Sequence, residues 1–262
     1  MSNSEIIGAG QDTAHRVPKT NTITCGDCLE VMQAIPDKSV DMVITDPPYK
    51  LSQSYSSNVD ADNLLAVSAI WVVSQELLRV SKPGAICVIF YDVRILPLCL
   101  DSMRRAGWQY LRTLTLYRRW GNAHQLHGWM STSDHILVFC NPAGKPRFNG
   151  KWKHDVYIKD KPETETTGHP AQKPLSCFEH IIENCSTEGG SVLDVYMGSG
   201  TTAIACINTG RNYIGIEKEE KYCRIAEERI HALRSPAQNT VEICHTAPNT
   251  AMAKGQQVEL GL

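Results

Sequence analysis

Apolar residues run almost unbroken through 40–45 (VDMVIT), 85–91 (AICVIFY) and 134–140 (DHILVFC). Short runs of that kind predict strands covered on both faces. Further β-rich runs lie at 22–25, 110–117, 191–195 and 212–217. Between them the pattern changes to helical spacing at 62–80, 93–106, 173–186, 201–210 and 219–234. The first of these helices opens on Asp62, which can cap it, and stops at SKPG, where Pro and Gly punctuate the chain. Strands alternating with helices imply crossover connections, hence the α/β class with a mostly parallel sheet.

Two stretches break the rhythm: 118–133, RRWGNAHQLHGWMSTS, and 141–168, NPAGKPRFNGKWKHDVYIKDKPETETTG. Both mix Gly and Pro with aromatics and charges, and irregular insertions of this length are usually functional or disordered. Residues 1–21 are polar and read as a flexible N-terminus, and 235–262 as a flexible tail. The domain proper is therefore expected at 22–234, with an insertion around 118–168.

Bulk composition narrows the class only a little. With 262 residues, 42% hydrophobic and 21% charged, the chain is ordinary globular material with room for a sizeable core. A net charge of −2 advertises no global attraction to nucleic acid, so any basic surface has to be local. No apolar run is long enough to span a bilayer, and the N-terminus lacks the cationic start and apolar block of a secretory signal. A cytoplasmic protein with reduced thiols is the expectation, despite ten cysteines. Cys25 and Cys28 form one CxxC without a second pair, which argues against zinc; no metal is expected.

Chemistry enters at SVLDVYMGSGTTAIACINTGRNYIGIE, which reads as strand, glycine turn, helix, strand and acid. Gly198, Gly200 and Ala203 fit G-x-G-x-x-G/A, and Glu217 closes the next strand, where a carboxylate can bind both ribose hydroxyls. A dinucleotide would offer a pyrophosphate to the helix N-terminus, whereas S-adenosylmethionine offers an ammonium and a sulfonium. Asp194 favours the second ligand, because a carboxylate there repels a pyrophosphate and attracts an ammonium. A plain tight turn is the bland alternative.

The apolar run at 40–45 ends in Asp46, Pro47, Pro48 and Tyr49. An exocyclic amine of adenine or cytosine is a poor nucleophile, since its lone pair is delocalised into the ring. A carboxylate and a rigidly held carbonyl can accept its two N–H bonds and free that lone pair, and a double proline supplies the rigidity. Tyr49 offers a face on which a base taken out of the duplex can stack.

With these residues in view, the sequence resembles the DNA amino-methyltransferases, the N-4 cytosine/N-6 adenine DNA methylase family of bacteria and phages. DPPY resembles their catalytic motif, and DVYMGSGTT resembles their cofactor loop; this chain has Asp194, Val195 and Tyr196 where the family usually has Asp-Pro-Phe. The catalytic motif precedes the cofactor motif, as in the β arrangement, a circular permutation of the Rossmann-like methyltransferase sheet with helices on both faces. The resemblance runs from about Thr22 to Arg234.

Several expectations follow from the resemblance alone. Asp46, Pro47, Pro48 and Tyr49 would be catalytic. Asp194, Tyr196, Gly198, Gly200, Thr201, Thr202 and Glu217 would line S-adenosylmethionine, with Asp27 of GDCLEVM beside the cofactor or target base. His169, Gln172, Lys173 and Pro174 of GHPAQKP would sit near the methionine end, although as bare sequence they are only a loop histidine and a helix start. Asp at the head of the tetrad is typical of adenine enzymes and Ser of cytosine-N4 enzymes, so adenine N6 in double-stranded DNA is the expected target.

DNA contacts are expected from residues 141–161, where Lys145, Arg147, Lys151, Lys153, Lys159 and Lys161 outnumber Asp155 and Asp160 and Phe148, Trp152 and Tyr157 are interleaved. A solvated loop explains the same charges. Arg118, Arg119 and Trp120 form a second candidate surface. The terminal QVELGL, Gln257 to Leu262, resembles the peptide by which bacterial replication proteins dock on the sliding clamp, with a disordered tail as the alternative. Monomer and homodimer are both compatible with the sequence, and a nicotinamide dehydrogenase or a non-catalytic DNA-binding module are the readings from other classes.

Overall fold

The computed structural model describes residues 19–47, 61–120, 125–126, 129–130, 132–150, 153–162 and 173–234, with the backbone alone at 61–69, 94, 125–126, 129–130 and 234. The expectations for Pro48, Tyr49, Lys151, Trp152, His169, Gln172 and Gln257–Leu262 lie outside the described residues.

The elements are β1 (Thr22–Cys25), α1 (Cys28–Met32), β2 (Val40–Thr45), α2 (Ala61–Val80), β3 (Ser81–Tyr91), α3 (Leu96–Ala106) and β4 (Gln109–Arg118). Next come β5 (Gln125–Leu126), β6 (Trp129–Met130), β7 (Ser133–Cys140), β8 (Val156–Lys159) and α4 (Leu175–Cys185). The chain continues with β9 (Ser191–Asp194), α5 (Thr201–Asn208), β10 (Asn212–Glu217) and α6 (Glu220–Arg234). The main sheet has the order β1-β10-β9-β2-β3-β7-β4-β8, and β5 and β6 pair separately as a hairpin. All pairings in the main sheet are parallel except those of β7, which is antiparallel to both β3 and β4.

Alternation along the central strands divides the core into two layers. Val43 of β2 with Cys87, Ile89 and Tyr91 of β3 packs towards Ile70, Val73 and Leu77 of α2 and Cys99 and Met103 of α3. Met42 and Ile44 with Ile86, Val88 and Phe90 face the other way, onto Cys177, Phe178 and Ile181 of α4, Ala203 and Cys206 of α5 and Ile230 of α6. Both faces are covered, and this is why these strands read as unbroken apolar runs.

Three sequence expectations shift. SKPG does not separate α2 from a later strand, because Ser81 already pairs with Val40 and β3 runs through an irregularity in register to Tyr91. Gly84 makes this possible: its φ is +77°, and a Cβ there would lie 2.1 Å from the Lys145 carbonyl oxygen. The insertion is not wholly irregular, since VYIK forms the edge strand β8 with Val156 and Ile158 exposed at 45% and 50%. Four residues between charged flanks give too short a period to separate from a loop. At the N-terminus, Asn21 belongs to the domain, its backbone N–H donating to the Tyr213 carbonyl and its amide to Asn212.

Ile44 is fully buried at the junction of β2 with α4 and α5. Ile44→Ala is expected to lower the unfolding free energy by about 2–5 kcal/mol, measured by denaturant titration, because the site is held from both sides and cannot collapse.

Candidate active site

Strand order reverses between β2 and β9, neighbours whose crossovers leave in opposite directions, β2 to β3 through α2 and β9 to β10 through α5. Crevices at such switch points, beyond the carboxyl ends of the strands, are where α/β sheets bind ligands. Asp46 follows β2 directly and Asp194 ends β9, so a carboxylate stands at the carboxyl end of each strand that flanks the switch point.

Asp194 is 3% exposed. Its Oδ1 accepts from Thr45 Oγ1 at 2.9 Å and from the Tyr196 N–H at 3.0 Å, while Oδ2 accepts from Thr202 Oγ1. One carboxylate thus ties the end of β2, the turn after β9 and the first turn of α5. The sequence offered Asp194 as a partner for a ligand ammonium; the contacts it makes in the structure are with the protein's own hydroxyls and backbone. Thr202 shares that duty, and Thr201 is buried at the helix start. Gly200 carries φ +86° at the N-cap of α5, and a Cβ there would lie 2.8 Å from Ala226 Cβ of α6. Glycine is demanded by packing as well as by backbone conformation.

Glu217 ends β10 with 9% exposure. Its Oε2 accepts from the Gly198 N–H at 2.7 Å and Oε1 from the Glu219 N–H at 2.8 Å. Each oxygen retains a second lone pair, so a diol can still be met. The adjacent strand β1 delivers Asp27, which caps α1 by accepting from the Leu29 N–H at 3.0 Å and pairs with Lys218 at 3.3 Å. Tyr196 lies between, packed on the α1–α3 side of the core beside Cys28; burial first, then the Cys28 thiol, push its hydroxyl pKa up. The CxxC pair is divided, with Cys28 against Tyr196 and Cys25 against Cys223.

Asp46 differs from Asp194. Its Oδ2 receives Lys173 Nζ at 2.6 Å, whereas its Oδ1 is buried without a hydrogen-bond partner among the described residues. A buried acceptor left open is rare and signals a missing donor. Pro47, also buried, follows directly. Lys173 therefore meets the catalytic candidate, a contact that sequence reasoning missed because 127 residues separate the two.

A family model described as DNA methylase, of the N6/N4 methyltransferase group, matches residues 40–228. The chain belongs to the N6/N4 DNA methylase family. The type II methyltransferase M.HinfI of Haemophilus influenzae is 29% identical over 85% of this chain and 71% of its own length. The structure of the M1.HpyAVI complex with SAM is 26% identical, covering 80% of this chain and 98% of that one with a TM-score of 0.64. The cytosine-N4-specific PvuII DNA methyltransferase has a TM-score of 0.69 at 16% identity over 86% of this chain and 90% of that one, a likeness of fold alone. The protein is accordingly a DNA methyltransferase in which β2, the strand leading into DPPY, precedes β9, the strand leading into the glycine turn, the permuted order expected from DPPY and GSGTT.

The sheet sorts the methylase's basic residues by end. Lys145 and Arg147 follow β7, whose Cys140 pairs with Ile86 near the start of β3; Arg147 lies 3.7 Å from Asp41, at the start of β2. They sit at the opposite end of the sheet from Asp46. Arg118, Arg119, Lys159 and Lys161 lie at the same end of the sheet as Asp46, because β4 and β8 run parallel to β3 and β2. Arg118 is paired with Asp134 and its side chain is 12% exposed, so it is a sheet residue rather than a surface cation. Arg119 is exposed and pairs with Asp160, an interaction weak enough to exchange for phosphate. Lys153 is exposed partway along, its charge adding to burial in lowering the pKa of His180 on α4. An apolar cavity of about 410 Å³ lies beneath it between β4, β7 and α4, lined by Leu114, Ile136, Val138 and Ile181 and away from Asp46.

Burial pushes the Asp194 carboxyl up to about 7 against its three donors, and the Asp46 charge adds to that rise. Because the folded value lies above the usual one of about 3.9, this group's contribution to stability is full below about pH 4 and lost as pH rises through about 7. Urea titrations are expected to show the stability of the parent relative to Asp194→Asn falling between those values and levelling above them. A difference independent of pH would show that the carboxyl titrates elsewhere.

Proposed function

We propose that the methylase transfers the methyl group of S-adenosylmethionine to the exocyclic N6 amine of an adenine swung out of double-stranded DNA. The reading is carried by the open, buried Oδ1 of Asp46 at the switch point, one residue beyond a strand tied to the glycine loop. Residues fit the cofactor: glycine at 198 and 200 lets it approach the backbone, Glu217 keeps lone pairs for a ribose, and Tyr196 and Asp27 lie alongside. When bound, it supplies an electrophilic methyl whose bond to sulfur breaks with the electron pair left on sulfur.

The chain's own residues prepare the nucleophile. Asp46 Oδ1 accepts one N–H of the amine and a main-chain carbonyl of the Asp46–Tyr49 loop accepts the other, localising the lone pair on nitrogen. As the new N–C bond forms, positive charge grows on nitrogen and Asp46 stabilises it. The amine keeps both protons until attack; the methylated, cationic nitrogen then releases one through Asp46 Oδ1 to solvent. Alignment of amine and methyl carries much of the rate. Arg119 and Lys161 are exposed cations on the Asp46 side suited to phosphates, whereas Lys159 is held by the Ser176 hydroxyl; the basic residues near 151–153 are a further contact.

Adenine is favoured over cytosine by Asp, rather than Ser, at the head of the tetrad. Methylated DNA digested to nucleosides is expected to contain N6-methyladenine; N4-methylcytosine in its place would move the reading to the cytosine enzymes. Asp46→Ala is expected to lower methyl transfer at least ~100–1,000-fold, as for loss of one preorganised polar group, with S-adenosylmethionine binding by calorimetry retained. Substantial residual turnover would remove Asp46 from its role.

A further inference from the structure

Lys173 is held by two groups at once. Its Nζ lies 2.6 Å from Asp46 Oδ2 and 5.5 Å from the centroid of the Phe90 ring, and the two side chains of the ion pair are 16% and 21% exposed. Phe90 is itself fixed, 1% exposed and stacked on Phe178 with centroids 5.0 Å apart and planes 7° from parallel. Because β3 supplies Phe90 and α4 supplies Phe178, the lysine just before α4 is braced against the sheet rather than loose at a helix start.

An aspartate one residue beyond a strand can turn about two side-chain bonds. Pinning one carboxylate oxygen removes most of that freedom and fixes where the other points. The pinned oxygen is Oδ2, and the oxygen left open and buried is Oδ1. We propose that Lys173 is a positioning residue for methyl transfer: braced on Phe90, it clamps Asp46 so that Oδ1 is presented to the target amine. This rests on the reading of Asp46 given under Proposed function, and it differs from a lysine that binds the cofactor.

Electrostatics supplies a contrary effect that makes the proposal vulnerable. An ammonium beside Asp46 weakens the attraction that the carboxylate offers to positive charge growing on the attacking nitrogen. If that effect outweighed orientation, removing the lysine would accelerate the reaction.

The full chain is compared with Lys173→Met, which keeps the stem without the charge, and Lys173→Arg, which keeps a cation able to pair and to lie over a ring. Steady-state methylation of DNA, calorimetric S-adenosylmethionine affinity and thermal unfolding are measured for all three. Lys173→Met is expected to lose kcat by roughly 10–100-fold, the scale of a small misplacement, with KM for DNA, cofactor affinity and unfolding temperature unchanged, and Lys173→Arg to recover most of the loss. An unchanged or raised kcat in Lys173→Met overturns the proposal. So does a loss confined to cofactor affinity, which would make Lys173 a cofactor ligand, or equal losses of stability and rate in both variants, which would make it structural. A parent protein that places no methyl label in DNA removes this proposal and the functional reading together, whereas an active parent with an indifferent Lys173→Met removes this one alone.

Discussion

The buried carboxylate of Asp194 is the constraint on which the site depends. Its donors come from Thr45 at the end of β2, from the backbone of Tyr196 in the turn and from Thr202 in the helix beyond. Burying a carboxylate is unfavourable unless its lone pairs are met. Here the partners lie on three separate pieces of chain, so meeting that demand fixes the pieces relative to one another. Asp46 sits one residue past Thr45, and Gly198 is held by Glu217. The distance from Asp46 to the glycine turn is thereby set by hydrogen bonds inside the protein, before any ligand arrives.

Two carboxylates at one crevice then take different roles from different surroundings. Asp194 is enclosed and accepts three hydrogen bonds from within the protein. Asp46 is tied through one oxygen and open through the other. Chain position alone would not separate them, since each stands at the carboxyl end of a parallel strand. The difference lies in what approaches: two hydroxyls and a backbone N–H for Asp194, and a single ammonium for Asp46.

Much of this was legible in the sequence. Continuous apolar runs marked β2, β3 and β7 because both faces of those strands are covered, and the order of glycine turn, helix and acid marked β9 to β10. The resemblance placed the catalytic motif ahead of the cofactor motif, and the sheet order bears out that permutation. Local pattern could not supply contacts distant in sequence. Lys173 on Asp46 and Arg118 on Asp134 depend on how strands are ordered, and so does the end of the sheet at which each basic residue emerges. One charge run, 141–161, is split by that geometry, Lys145 and Arg147 lying at one end and Lys159 and Lys161 at the other. The three internal donors to Asp194 were likewise not legible, because a motif shows residue types without showing which way they turn.

The most direct test of the account is a crystal structure of the protein with S-adenosylhomocysteine and a duplex carrying the methylated site's unmodified sequence. The account predicts the cofactor's ribose on Glu217 and its sulfur facing Asp46, with the exocyclic amine of an extruded base hydrogen-bonded to Asp46 Oδ1. A cofactor seated away from Gly198 and Glu217, or an extruded base whose amine meets other acceptors while Asp46 Oδ1 stays open, would contradict it.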